Sequence, residues 1–485
     1  MRGLFVFFLT LAFLGSHRSM ARTPLEQDDT VVFFGDSITA AGVRPDGFIS
    51  LAREAIGAAY PDKNIRLIGA GVSGNKVSDL LKRLDRDVLR KNPNVVVIYI
   101  GINDVWHWTH PKVIERGGKG TTPEDFEAGL KSIIQQVNGN GARVILCTPS
   151  VIGEKTDGSN PTDPMLDSFA AISRKVAEET GTQLLDLRKA FMAWLEQQNS
   201  GNAEKGVLTK DRVHLNAKGD RFLADLMLEA LAVPPVELIP AHDRAYYSGK
   251  TEAHHYENDA GQRMPYRLFV PQGYDPEQVY PLVIAFHGAG SRGDDNLKQL
   301  QPWVSGWVDD SVQAKHPCLV LMPQCPKGKQ WVDTPWGKGS YSHADTPVSE
   351  SMSLAKAIVD QVLAEKSVDP ARIYVMGPSM GGYATWSFAM RYPELVAAAV
   401  PICGAGDPSM ADTLKDMPIW AFHGDADPVV PFSGSVEMNE AIRKAGGNQM
   451  TFTPYRGVKH DSYRLAWRHP GLVEWLFQQK KPASR

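Results

Sequence analysis

The chain has 485 residues, of which 43% are hydrophobic and 22% charged, and its formal net charge is -3. That length exceeds one ordinary domain and makes two the expectation. The composition excludes a disordered or fibrous chain, and the charge offers no electrostatic case for nucleic acid or an anionic membrane surface as a partner.

The chain opens on MRGLFVFFLTLAFLGSHRSMA, with Arg2, an apolar run from Leu4 to Leu14, and small residues around Ser19-Met20-Ala21. This pattern predicts a secretory signal peptide over 1–21 and an exported protein, periplasmic or secreted. The apolar run is too short to span a bilayer, and no later segment holds eighteen uninterrupted apolar residues. No stable membrane insertion is expected.

From Val31, apolar runs alternate with segments of helical period. The runs VVFFG, IRLIGAG, NVVVIYIG, ARVILCTPS and TQLLDL are separated by helical stretches that include Asp46–Ala59, Val77–Arg90, Pro123–Val137 and Ser168–Glu179, and Ala217–Leu231 closes the unit. Continuous apolar strands alternating with helices predict an α/β fold with a parallel sheet covered on both faces. Ligands bind outside the carboxyl ends of such strands. Three glycine-marked turns fall there: GDSIT at Ser37, GAGVSGNK at Gly69–Lys76, and GINDVW at Gly101–Trp106. With strand order 2-1-3-4-5 they lie side by side. Gly74 then offers a backbone N–H and Asn103 a side-chain amide to an oxyanion formed by attack of Ser37. A serine hydroxyl needs a base. The segment KDRVHLNAKG supplies His214, with Asp211 three residues before it; one helical turn would place both on one side.

The order GDSIT, GVSGN, GIND and DRVH resembles the SGNH (GDSL) hydrolase family over about Thr30 to Ala232. The resemblance implies a flavodoxin-like domain with Ser37 as nucleophile, Asp211 and His214 as the rest of the triad, and Gly74 and Asn103 in the oxyanion hole with the Ser37 N–H. The segment VILCTPSVIGE is also similar to the stretch after the fourth strand in small-ester hydrolases of that family. The loop HWTH, His107–His110, is read as a polar rim; a place for it and Trp106 in the acyl or sugar pocket is the alternative.

A proline-rich stretch from Val233 predicts a linker and lead-in over 236–263, which separates a first domain over 22–235 from a second over 264–485. The alternation restarts with RLFVPQ, PLVIAFHG, CLVLMPQC, RIYVMG, AAAVPICG, PIWAFHGD and TFTPYRG, and helical stretches include Glu350–Lys366, Met380–Arg391, Gly434–Ala445 and Gly471–Gln479. Cys318 and Cys325 flank an extended run that would hold them roughly 23 Å apart, beyond disulfide reach. They and Cys147 and Cys403 are expected to be buried free thiols, and no His/Cys cluster has zinc spacing.

Gly377-x-Ser379-x-Gly381 stands between a strand and a helix, where small flanking residues let the chain turn sharply and expose the serine. HGDADP then offers Asp425 or Asp427 as the acid; Asp427 is favoured because Asp425 follows Gly424 and shapes the turn. RGVKHDSY offers His460, beside which Asp461 is read as solvated or capping. Upstream, His287-Gly288-Ala289-Gly290 ends a strand. The N–H groups of Ala289 and Met380 are the expected oxyanion donors, and His287 is read as a structural imidazole.

The set HGAGSRGDDN, MPQCPKGKQWVDTPW, GPSMGG and HGDADPVVP resembles α/β-hydrolase esterases of the predicted-peptidase and carboxylesterase type, related to polyester depolymerases and feruloyl esterases, from about Met264 onward. The resemblance implies Ser379, Asp427 and His460 as the triad. Trp331 and Trp336 fall in a loop that either covers an acyl pocket or packs. Together the readings predict an exported bifunctional serine ester hydrolase that needs no metal or organic cofactor. Its expected substrate is an acylated polysaccharide or a small ester, acetyl groups falling to the first domain and larger acyl groups to the second. The rivals are a peptidase in the second domain, a lipase or lysophospholipase, and one domain serving as a non-catalytic binding module.

Overall fold

Two sheets organise the protein in the computed structural model, which describes residues 23–236, 239 and 241–481. The expected signal peptide, 1–21, lies outside the described residues. The first sheet comprises β1 (Thr30–Gly35), β2 (Arg66–Gly71), β3 (Val95–Tyr99), β4 (Arg143–Cys147) and β5 (Gln183–Leu185). Its order is β2-β1-β3-β4-β5 and every pairing is parallel. Phe33, Phe34, Ile98 and Leu146 on these strands are fully buried; each such side chain contributes about 1.5–3 kcal/mol on leaving water.

The second sheet has eight strands: β6 (Glu252–Glu257), β7 (Arg263–Phe269), β8 (Tyr280–Ala285), β9 (Leu319–Pro323), β10 (Val368–Pro378), β11 (Ala398–Ile402), β12 (Ile419–Gly424) and β13 (Met450–Tyr455). Their order is β13-β12-β11-β10-β8-β9-β7-β6. The strands from β13 to β9 are parallel, and β7 and β6 add an antiparallel edge. β6 falls inside the stretch read as linker and lead-in. Its sequence EAHHYE alternates in exposure rather than forming an apolar run, which is why it does not stand out in the sequence.

Helices follow the periodic segments closely: Phe48–Ala59, Pro123–Gly139, Ala217–Ala230, Glu350–Glu365 and Met380–Arg391. Helix Asp163–Thr180 starts five residues before its expected position, with Pro164 in its first turn. Helix Leu187–Gln198, capped by Asp186, is not among the helical stretches named above. All four cysteines are buried and free.

Candidate active sites

The first site stands at the carboxyl edge of β1 and β3. Asp36 caps helix Ser37–Gly42 by accepting a 3.0 Å hydrogen bond from the Ile38 N–H, so Ser37 opens the helix at the strand end. The Ser37 hydroxyl donates to His214 Nε2 at 2.9 Å, and His214 Nδ1 lies 2.8 Å from Asp211 Oδ2. The pairing of Asp211 and His214 does not come from a helical turn. Asp211 Oδ1 accepts from the N–H groups of Val213 and His214, and Arg212 takes a left-handed backbone with φ 85°. The carboxylate captures amides that a helix would have used, and the chain turns around it.

Asn103 is buried, and its amide donates to the Asn75 carbonyl at 3.1 Å and, at a long 3.4 Å, to Asp36 Oδ2. Gly74 has φ +79°, and a Cβ there would meet nothing within 4 Å. Burial first, then the nearby Asp104 charge, pushes the Asp36 carboxyl up to about 7; burial pushes Asp104 up to about 6. Neither was singled out in the sequence. Nor was Glu154, in VILCTPSVIGE. This fully buried carboxylate accepts from the N–H groups of Val207, Leu208 and Thr209 at 2.8, 2.6 and 2.5 Å and so holds the chain leading to Asp211. The HWTH loop packs: Trp106 stands edge-on to His110 at 4.8 Å, and the Trp108 indole N–H donates to the Thr121 carbonyl.

The second site follows β10. Ser379 sits at φ 58°, ψ -121°, on the turn into helix Met380–Arg391. The turn is possible because Gly381 has no side chain: a Cβ there would lie 2.3 Å from the Phe286 carbonyl oxygen. The Ser379 hydroxyl donates to His460 Nε2 at 2.8 Å, and His460 Nδ1 lies 2.7 Å from Asp427 Oδ2. Asp427, not Asp425, reaches the imidazole. Asp425 instead accepts from the Gly457 N–H. Met380 and Ala289 each open a helical turn, so their N–H groups have no intrahelical acceptor. A Cβ on the neighbouring Gly288 would lie 3.7 Å from the Ser379 Cβ, which places this loop against the serine.

The Asp427 side chain is fully buried. Burial alone would raise its pKa, but hydrogen bonds from His423, His460 and the Val429 N–H outweigh it and hold the carboxyl well below its usual range. His423, absent from the sequence reading, is itself fully buried, with Nε2 3.3 Å from Asp427 Oδ2 and Nδ1 2.8 Å from Ser435 Oγ. His287 is a structural imidazole: burial pushes it down to about 4, and its Nε2 accepts from the Cys325 N–H. Trp331 is fully buried against Phe286 and His287, so it packs, whereas Trp336 is half-buried beside Arg292.

Cys403 Sγ, Asp427 and His460 present ligand atoms within 4.8 Å of one another. Burial pushes the Cys403 thiol up to about 12, so it stays protonated at neutral pH and is a poor metal donor. Among the described residues, no helix is long and apolar enough to cross a membrane.

Two α/β sheets, each carrying a hydrogen-bonded Ser–His–Asp chain at its carboxyl edge, are an arrangement of the ester-hydrolase class. Residues 33–222 match the GDSL-like lipase/acylhydrolase family, and residues 269–466 match the phospholipase/carboxylesterase family. An acetylxylan esterase of Geobacillus stearothermophilus is 31% identical over 217 residues, which are 42% of this chain and 94% of that protein. A probable feruloyl esterase C of Aspergillus niger is 28% identical over 38% of this chain and 61% of its own length. The esterase NocK, a putative assignment in Nocardia uniformis, is 27% identical over 36% of this chain and 48% of its own. The chain thus spans about half to three-fifths of those last two relatives. The crystal structure of an acetyl xylan esterase, AlAXEase, is 44% identical and aligns over 42% of this chain and 99% of its own, with a TM-score of 0.40. The chain belongs to the GDSL-like lipase/acylhydrolase family, and a second region of it matches the phospholipase/carboxylesterase family. It is a carboxylic ester hydrolase.

Proposed function

We propose that the protein is an exported, two-site serine esterase that removes two kinds of acyl group from one esterified polysaccharide. The observation that carries this reading is the presence of two separate Ser–His–Asp hydrogen-bonded chains, Ser37–His214–Asp211 and Ser379–His460–Asp427, in a single polypeptide. The likeness to an acetylxylan esterase supports acetyl esters for the first site, and the likeness to feruloyl esterases supports a bulkier acyl group for the second. The division into a first domain over 22–235 and a second over 264–485, and export through the 1–21 segment, belong to the same proposal.

In each site the histidine takes the serine proton as the hydroxyl oxygen attacks the ester carbonyl. The developing oxyanion is met by the N–H groups of Ser37 and Gly74 with the Asn103 amide, or by those of Ala289 and Met380. The histidine then passes its proton to the departing sugar oxygen. Water, deprotonated by the same imidazole, releases the acid from the acyl-serine and restores the hydroxyl. Asp211 and Asp427 hold the ring so that Nε2 faces the serine.

The test is release of acids from acetylated, feruloylated xylan, followed by chromatography, for wild type, Ser37→Ala and Ser379→Ala. Ser37→Ala should lose acetate release by about 10⁴-fold or more while hydroxycinnamate release continues, and Ser379→Ala should do the reverse. A purified enzyme that cleaves small soluble esters but frees no acid from any acylated polysaccharide would overturn the substrate assignment.

A further inference from the structure

The segment that carries His460 is seated on the other half of the molecule. Before the histidine, Arg456 donates from Nη1 to the Asp28 carbonyl at 2.8 Å, and Gly457 lies so close to Arg66 that a Cβ would come within 2.9 Å of its Nε. After it, the chain makes one tight turn, His460–Ser462, and runs into the short helix Tyr463–Ala466. That helix packs on helix Phe48–Ala59, with Leu465 3.6 Å from where a Cβ on Gly57 would lie. Arg464 pairs with Asp46 at 2.9 Å and approaches Glu54 at 3.8 Å, and Arg468 pairs directly with Glu54. Arg468 also donates from Nε to the Ile239 carbonyl in the connecting stretch.

The Glu54 cluster is not a surface ornament. The side chains of Glu54, Arg468 and Arg464 are 6%, 11% and 17% exposed. An ion pair this buried is strongly disrupted when one partner is removed, because the other charge stays in place without its counter-ion. Asp28, Asp46, Glu54, Gly57 and Arg66 all precede the linker. His460 is therefore bracketed in sequence, four residues before and four after, by contacts to the first domain.

The second domain also has its own hold on this segment, with Val458, Leu465 and Ala466 buried in its core. That hold includes the Ala426 N–H to the Val458 carbonyl at 3.1 Å, the Gly457 N–H to Asp425, and a 3.8 Å contact of Cys403 Sγ with the His460 carbonyl. A base must stand within a fraction of an ångström of its productive place, and a 1 Å misplacement can cost about 10²-fold in rate.

We infer that Glu54, in the first domain, is a positioning residue of the second active site: through Arg464 and Arg468 it sets where His460 stands relative to Ser379. The first domain is thereby part of the second site's scaffold as well as a catalyst of its own. This rests on the reading of Ser379 and His460 as the second site's nucleophile and base.

The experiment uses the full-length chain with Ser37→Ala, so that only the second site turns over, and compares it with the same chain also carrying Glu54→Gln. The ester is a soluble hydroxycinnamate ester, and the rate at which a fluorophosphonate labels Ser379 is followed in parallel. Glu54→Gln should lower kcat about tenfold with KM within twofold, and slow labelling to match. Glu54→Asp, which keeps the charge, should recover part of the loss. In a Ser379→Ala background, Glu54→Gln should leave acetate release by the first site within twofold. Should Glu54→Gln not yield folded protein, Arg456→Gln cuts only the link to Asp28 and should produce a two- to threefold fall with the same selectivity.

Unchanged kcat and labelling at Ser379 overturns the inference, and so does an equal fall at both sites. If Ser379→Ala leaves hydroxycinnamate hydrolysis intact, the assignment of the second site fails. If Ser379→Ala abolishes it and neither clamp variant slows it, the positioning role alone fails.

Discussion

The two candidate sites place the same three side chains at nearly the same distances, yet their acids live in opposite surroundings. The Asp211 side chain is 48% exposed and is held by a turn of its own making, with Oδ1 on two backbone amides and Oδ2 on His214. Asp427 is fully buried at the end of β12 and keeps its charge only because His423, His460 and a backbone N–H all donate to it. Water can replace part of what an exposed carboxylate does. It cannot reach a buried one, where a lost partner leaves an uncompensated group. The same arrangement of side chains is thus built once on a loop that solvent supports and once on a core that excludes it.

The sharpest way to break this comparison is to neutralise both acids. Asp427→Asn should reduce turnover at the second site by roughly 10³-fold or more, since an amide can direct its N–H at His460 and favour the wrong tautomer. Asp211→Asn should cost the first site less, on the order of 10–100-fold, because solvent can partly stabilise the imidazolium there. Steady-state kinetics on a soluble ester for each site, with the other serine replaced by alanine, would decide; equal losses would remove the distinction.

Glycine substitution sharpens the contrast between packed and open backbone at the two sites. Gly381→Ala forces a methyl to within 2.3 Å of a carbonyl oxygen, and should destabilise the second domain by about 1–3 kcal/mol or more. Gly74→Ala meets nothing and only strains a left-handed backbone, at about 1 kcal/mol. Thermal denaturation of both variants, read with site-specific activity, measures the difference.

The smallest expected effect concerns stability against pH. Asp36 has its carboxyl raised to about 7 and Asp104 to about 6, whereas the unfolded chain ionises near 4. A raised folded value means that stability is fully present below about pH 4 and is lost as pH rises through 6 to 7. Asp36→Asn removes its share of that loss. Its melting temperature should match wild type near pH 4 and exceed it by a few degrees at pH 7. A difference independent of pH would show that Asp36 is ionised throughout.

Much of this protein was legible in its sequence. Apolar runs ending in GDS, GVSGN, GIND and GPSMGG announced strand ends, because a buried parallel strand needs an uninterrupted apolar stretch and a sharp turn after it needs glycine. The first sheet has the order, β2-β1-β3-β4-β5, under which those turns lie side by side. Less legible were groups whose role depends on distant neighbours. Glu154 looks like any acid after a strand until the three amides it binds arrive from fifty residues away. His423 sits in a strand whose neighbours are apolar, and nothing local reveals that it faces Asp427. The helical pairing expected for Asp211 and His214 failed for a local reason: the carboxylate competes for the amides a helix would need.

The sequence by itself determined two α/β units, the strand ends at which chemistry can occur, and the residue types present there, because periodicity and turn chemistry are local properties of the chain. Only the tertiary structure decided that His423 backs Asp427, that Trp331 is core while Trp336 is half-buried, and that the His460 segment rests on Glu54 across more than four hundred residues. Those outcomes depend on which surfaces exclude water from one another, and that is settled by packing between parts of the chain that no local pattern connects.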